Sequence, residues 1–185
     1  MTPIALWFSA LFSDEVEGSR LSLSPGDPGN YTPDGRLLGS QCGISAREFP
    51  GAPFGSITPA YAAGIAKARY WDAHDLDSFP AGIAILLADS YYNGGKPIRW
   101  LQEAVGTGVD GEWGDESKAA FASAWAARPV LTMQVFNACR IAYDESLNRQ
   151  RDMKGWAKRC DIMLCLAIQA TGGLPGITLD TGAST

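Results

Sequence analysis

The sequence predicts a mainly α-helical single domain whose N-terminal region is rich in loops. Apolar residues recur at i, i+3, i+4 and i+7 in one segment after another. Proline opens and glycine closes many of these segments. Between Ser19 and Phe54 no helical period exists, and glycine, proline, serine and asparagine dominate. At 185 residues the chain suffices for one well-cored domain, or a domain with a small appended lobe.

Ile4, Trp7, Phe8, Leu11 and Phe12 define the first amphipathic helix, expected to run to about Glu17 with Gly18 as its left-handed stop. The irregular stretch that follows, with "SPGDPGNYTPDG" and "FPGAPFG", has room for short strands. Its length inside a compact domain marks it as functional. Helices then start at Thr58-Pro59, at Pro80 with a stop at Gly94, and at Pro97 with a stop at Gly106. Further helices start at Asp115, as a cap, at Pro129 and near Met153. The tail "TLDTGAST" has nothing to bury and reads as frayed.

A net charge of −5, with no basic stripe, argues against nucleic acid and anionic membrane surfaces as partners. No segment has the ~18 consecutive apolar residues of a membrane span. "MTPIALWFSALF" lacks a basic leader and a small-residue cleavage site, so it reads as a folded helix rather than a signal peptide. Cys42, Cys139, Cys160 and Cys165 form no C-x-x-C pair, and His74 is the only histidine; a zinc site is not supported and buried free thiols are expected. Trp7, Trp71, Trp100, Trp125 and Trp156 fall at core spacing on helices.

Chemistry concentrates where the first helix ends, at Asp14, Glu15 and Glu17. The negative end of a helix dipole disfavours a carboxylate, and so favours the protonated form that a general acid needs. Asp27 lies on the following loop. Two carboxyl groups in unlike surroundings are the minimal equipment for cleaving a glycosidic bond, although a solvated acidic helix end and turn would look the same.

"VEGSRLSLSPGDPGNYTPDGRLLGSQCGIS" resembles the N-terminal signature of the glycoside hydrolase 108 family: an E-G-G-Y opening, an Asp-Pro-x-Asp-x-Gly loop and a G-I-[ST] close. Glu17, Gly18, Pro25, Asp27, Gly29, Asn30, Gly43, Ile44 and Ser45 carry the match. "DSYYNGGKPIRWLQEAVGTGVDGEWGDES" is similar to the family's second half, a predicted peptidoglycan-binding part, through Asp89, Asn93, Gly95, Leu101, Gln102, Gly106, Asp110, Gly111 and Gly114. "RQRDMKGWAKR" resembles its closing G-W-x-x-R element at Gly155, Trp156 and Arg159. Ser19, Arg20 and Ser24 depart from the pattern, as does Ser40-Gln41-Cys42 before Gly43.

The resemblance implies a lysozyme-like N-acetylmuramidase, with residues 1–88 as the catalytic part, 89–172 as a helical peptidoglycan-binding part packed on it, and 173–185 as a flexible tail. It implies Glu17 as the catalytic glutamate, since the nearby Glu15 is not followed by glycine. Asp27 either positions water or charge in the reaction or only forms an Asp-Pro-Gly turn. Substrate contacts fall to Asn30, Tyr31, Ser40, Asn93 and Trp113. For Ser40 the competing role is a loop hydrogen bond, for Asn93 a helix cap, and for Trp113 packing beneath its own turn.

No metal or cofactor is required, the partner is bacterial cell-wall peptidoglycan, and a monomer is expected. The implied setting is a phage or prophage endolysin or a secretion-associated muramidase, with a virion-carried hydrolase also compatible. It would be made in the cytoplasm and reach the wall through a holin or export system. Two rival readings stand beside it: a lytic transglycosylase, which also works with a single glutamate, and a non-catalytic wall-binding module.

Overall fold

The first helix forms where a capping threonine precedes a proline: Thr2 accepts from the Ala5 amide and Pro3 occupies the first turn of α1, Pro3–Leu11. The computed structural model describes residues 1–148 and 150–172; the expected frayed tail lies outside them. After α1 come a two-stranded antiparallel sheet (β1, Ser40–Gln41; β2, Ile44–Ser45) and six more helices. These are α2, Pro59–Ala66; α3, Ala81–Tyr92; α4, Pro97–Val105; α5, Asp115–Ala127; α6, Pro129–Ser146; and α7, Gln150–Ala170.

α1 is shorter than its apolar period suggests. At its end the Ser13 N–H and hydroxyl both bond to the Ala10 carbonyl, at 3.2 and 2.7 Å, so the backbone pattern tightens from i→i−4 to i→i−3. Turns then run from Phe12, with Glu17 N–H bonded to Leu11 O and Gly18 N–H to Ser13 O. Gly18 does adopt the left-handed conformation, at φ +61°. The chain after α2 also departs from a regular helix, widening into one π turn over Lys67–Trp71 before short 3₁₀ turns.

The loop region is organised by Asn30, which is completely buried. Its carbonyl accepts from the Leu38 and Gly39 amides, its side-chain amide donates to Ser24 O, and its side-chain oxygen accepts from the Ser40 hydroxyl. The β1–β2 pair turns through Cys42 and Gly43, both at positive φ, a two-residue hairpin of the kind that matches strand twist. A small cluster of Cys42, Ile44, Ile57 and Ala62 anchors it.

The main core is built around α3, whose residues Ile83–Ser90 are all buried. Trp7 and Leu11 of α1, Trp71, Trp100, Phe136, Met133 and Met163 pack in one cluster around it, so residues on both sides of position 88 share a core. Trp7, Trp71 and Trp100 are buried as expected, whereas Trp125 and Trp156 are only partly so. The four cysteines are free; Cys42 and Cys160 are buried, Cys139 is half-buried and Cys165 is exposed, contrary to the expectation of burial for all. No helix among the described residues is long and apolar enough to cross a membrane.

Candidate active site

Polar groups are least expected in the middle of a buried helix, and Asp89 stands there in α3 with no solvent exposure. Arg159, from α7, meets it with three short hydrogen bonds: Nε to both carboxylate oxygens at 3.1 and 3.0 Å, and Nη2 to Oδ1 at 2.8 Å. Arg140, from α6, places Nη1 2.8 Å from Oδ2, and the Trp7 indole N–H points at Oδ1 from 3.5 Å. Burial alone would raise the pKa of Asp89; Arg159 and Arg140 more than reverse this and hold it at about 2.

The remaining Arg159 nitrogen, Nη1, donates to Glu17 Oε1. One guanidinium therefore bridges a wholly buried carboxylate and one at the surface of a cleft. Burial works against the charge of Arg159, but Asp89 and Glu17 outweigh it and the pKa of the guanidinium is raised. The ring of Tyr92 lies 5.7 Å beneath Arg159 Cζ as a cation–π partner. Its hydroxyl donates to Cys42 O at 2.8 Å. Burial, then Glu17, pushes the Tyr92 hydroxyl pKa up, which keeps it a donor. A Cβ at Gly43 would stand 2.4 Å from that hydroxyl, so the hairpin glycine admits the tyrosine that supports Arg159.

These contacts correct the helix-end argument for Glu17. The helix stops at Leu11, and what faces the Glu17 carboxylate is a cation rather than the negative end of a dipole. Glu17 lines two clefts. The larger, about 540 Å³, also takes in Asp27, Asn93, Trp156, Lys158 and Arg159. The smaller, about 340 Å³, lies beside Asp14, Gly18 and Arg20.

The expected site residues separate accordingly. Glu17, Asp27 and Asn93 come together. Asp27 Oδ1 accepts from Gly29 N–H at 2.9 Å and so caps the short 3₁₀ turn Pro28–Asn30. The Asp-Pro-Gly turn is thus real, and it sits on the cleft wall. Asn93 ends α3 but is not left-handed, the left-handed position being Gly94, and its side chain is exposed.

Asn30 does not reach the cleft, because its amide is buried and spent on the loop. Ser40 is occupied by Asn30, and Tyr31 donates to Pro25 O at 3.2 Å; neither lines the cleft. Trp113 packs against Phe79 and Phe121 at 5.3 and 5.8 Å between ring centres, beneath its own turn.

The sequence spacing placed Trp156 in the core and gave no site role to Lys158 or Arg159, nor to the pairing of Lys158 with Glu15 beside the cleft. The signal that pointed to two of them was the G-W-x-x-R element, whose i, i+3 spacing sets Trp156 and Arg159 on one face of α7. Among the described residues no group of three or more His, Cys, Asp or Glu could hold a metal.

The fold is shared with a solved structure, that of Brucella abortus SagA, with a TM-score of 0.72 at 24% identity over 91% of this chain and 95% of that one. No curated protein matches the sequence. Residues 12–95, the segment running from the end of α1 through Glu17 and the loops to Gly95, match the family model Glycosyl hydrolase 108. Over that segment, just under half of the chain, the sequence is similar to glycosyl hydrolase 108, and this likeness supports a glycoside hydrolase.

Proposed function

We propose that the chain is an N-acetylmuramidase that hydrolyses the β-1,4 bond between N-acetylmuramic acid and N-acetylglucosamine, with Glu17 as general acid. The observation that carries this reading is that Glu17 lines both clefts. A polymer lying across the two passes directly by its carboxyl group. Arg159 fixes Oε1, which leaves Oε2 to present a proton to the glycosidic oxygen as the bond to the anomeric carbon breaks. A water then adds to that carbon and loses its proton to bulk or to Asp27.

Asp27, already oriented by Gly29 N–H on the cleft wall, orients the water or offsets oxocarbenium charge. The half-exposed ring of Trp156 offers a flat face to a pyranose, and the Asn93 amide offers a donor and an acceptor to an N-acetyl group. The proposed setting is wall lysis in phage or prophage release, or opening of the wall for a secretion system, after the protein has crossed the inner membrane.

Digestion of purified sacculi followed by mass spectrometry tests the reaction. Muropeptides with reducing N-acetylmuramic acid ends are expected. Products ending in 1,6-anhydro-muramic acid would overturn hydrolysis in favour of a lytic transglycosylase. Reducing N-acetylglucosamine ends would overturn the bond assignment.

A further inference from the structure

A third concavity, of about 480 Å³, opens between α4 and α6, with Lys96 at its edge. The glycan-cleaving machinery makes no use of it. Its floor is aromatic: Trp100 and Tyr143 lie 5.4 Å apart between ring centres. Two cations line it. Lys96 Nζ sits 5.7 Å over the Tyr143 ring. Arg99 donates from Nη1 to Asp110 O at 3.1 Å and rests its aliphatic stem on Gly111. Among the described residues neither cation lies within 4 Å of a carboxylate. One anion, Glu103, completes the rim beside Cys139, whose thiol is pushed up to about 11 by burial and then by that carboxylate, so it adds no charge.

Two cations with no carboxylate within 4 Å, although Arg99 also feels the charge of Asp110, one carboxylate and an apolar floor call for a complementary ligand. It carries carboxylates for Lys96 and Arg99, an ammonium for Glu103 and a hydrocarbon segment for the rings. The turn adds a constraint of reach. Asn93 lines the catalytic cleft and Lys96 lines this pocket, three residues apart and so at most about 11 Å along the chain. A substituent on a sugar in the cleft therefore needs only a short tether to extend toward the pocket. The peptide stem that branches from muramic acid in peptidoglycan combines these properties: an acidic residue, then a diamino acid, on a short tether.

We infer that the α4–α6 pocket binds the peptide stem of the peptidoglycan strand being cut, with Lys96 and Arg99 taking its carboxylates and Glu103 the free amine of its diamino acid. This rests on the reading of the chain as a peptidoglycan hydrolase. It makes the enzyme's preference for peptide-bearing over bare glycan a property of α4 and α6, separate from the chemistry at Glu17.

Titration of the full chain with a synthetic stem tetrapeptide (L-Ala, γ-linked D-Glu, diaminopimelate, D-Ala), followed by calorimetry, tests the pocket without reference to catalysis. Saturable binding is expected, weakened roughly tenfold or more by Lys96→Glu, a change at an exposed position. Glu103→Gln should weaken this peptide but not one whose side-chain amine is acetylated. Absence of saturable binding, or equal binding by wild type and Lys96→Glu, overturns the inference.

In parallel, kcat/KM on intact sacculi should fall in Lys96→Glu while kcat/KM on amidase-stripped, peptide-free glycan does not. An equal fall on both substrates would place the effect in the cleft or the fold and also overturn the inference. If wild type cleaves neither substrate, the hydrolase reading fails, while the peptide titration still decides the pocket.

Discussion

Arg159 spends three hydrogen bonds on a carboxylate that never meets solvent and one on the carboxylate that faces the cleft. A planar guanidinium can do this and an ammonium cannot, because only the fork fixes the angle between its partners. Arg159 is therefore a positioning residue: it locks Glu17 Oε1 and, through it, the direction of Oε2. Arg159→Lys keeps the charge and loses the fork. We expect kcat to fall about 10–100-fold, in line with a misplaced catalytic group, with KM changed much less, as measured on a soluble glycan substrate. Loss of binding with kcat retained would instead make Arg159 a substrate contact.

At the scale of elements, much of the architecture was legible because single residues impose it. Thr58 caps α2 through Tyr61 N–H at 3.2 Å, Pro97 opens α4, and Gly106 closes it at φ +77°. α1 is shorter than its apolar period, which continues in Phe12 and Val16, because the backbone tightens at Ser13, and periodicity does not register where a carbonyl's bonds go.

The "LQEAVGTGVDGEWG" motif, expected to carry wall binding, has a structural centre. The two N–H groups of the buried Gln102 side chain are shared among Asp110 Oδ1, Glu112 O and Ser117 Oγ, which lie 2.7, 3.0 and 2.9 Å from Nε2, and its oxygen accepts from Gly111 N–H at 2.8 Å. Gln102→Leu should leave those loop groups unsatisfied. The expected cost is about 2–3 kcal/mol, read as a drop of roughly 4–12 °C in Tm. An unchanged Tm would mean that the loop holds itself.

At the scale of the whole molecule, the site depends on partners remote in sequence. Asp89 and Arg159 are 70 residues apart and Glu17 and Arg159 142 apart, and no local pattern announces that such groups will meet. The sequence pointed to Glu17 through its glycine neighbour and to Arg159 only as the end of a motif; their pairing exists only once α7 packs on α1 and α3.

The same buried cluster sets the acid limit of the fold. The pKa of Asp89, about 2 when folded, lies below the ~3.9 of an unfolded chain. Its stabilising contribution is thus complete above about pH 4 and lost as pH falls toward 2. Asp144, whose pKa burial raises despite Arg140 and Arg159, works in the opposite sense and offsets part of the loss. Denaturant unfolding should therefore show stability declining between about pH 4 and 2. In Asp89→Asn that dependence should flatten, around a lower stability that reflects two buried guanidiniums left without their anion. A wild-type chain equally stable at pH 2 and pH 4 would contradict this account of the cluster.

The central claim, that Glu17 supplies the proton that breaks the glycosidic bond, is tested most directly by turnover of purified sacculi with Glu17→Gln, alongside a circular dichroism melt to establish that the variant is folded. The account predicts a folded protein whose rate is lower by about 10²–10⁴-fold. A folded variant that retains a substantial share of the wild-type rate would contradict it.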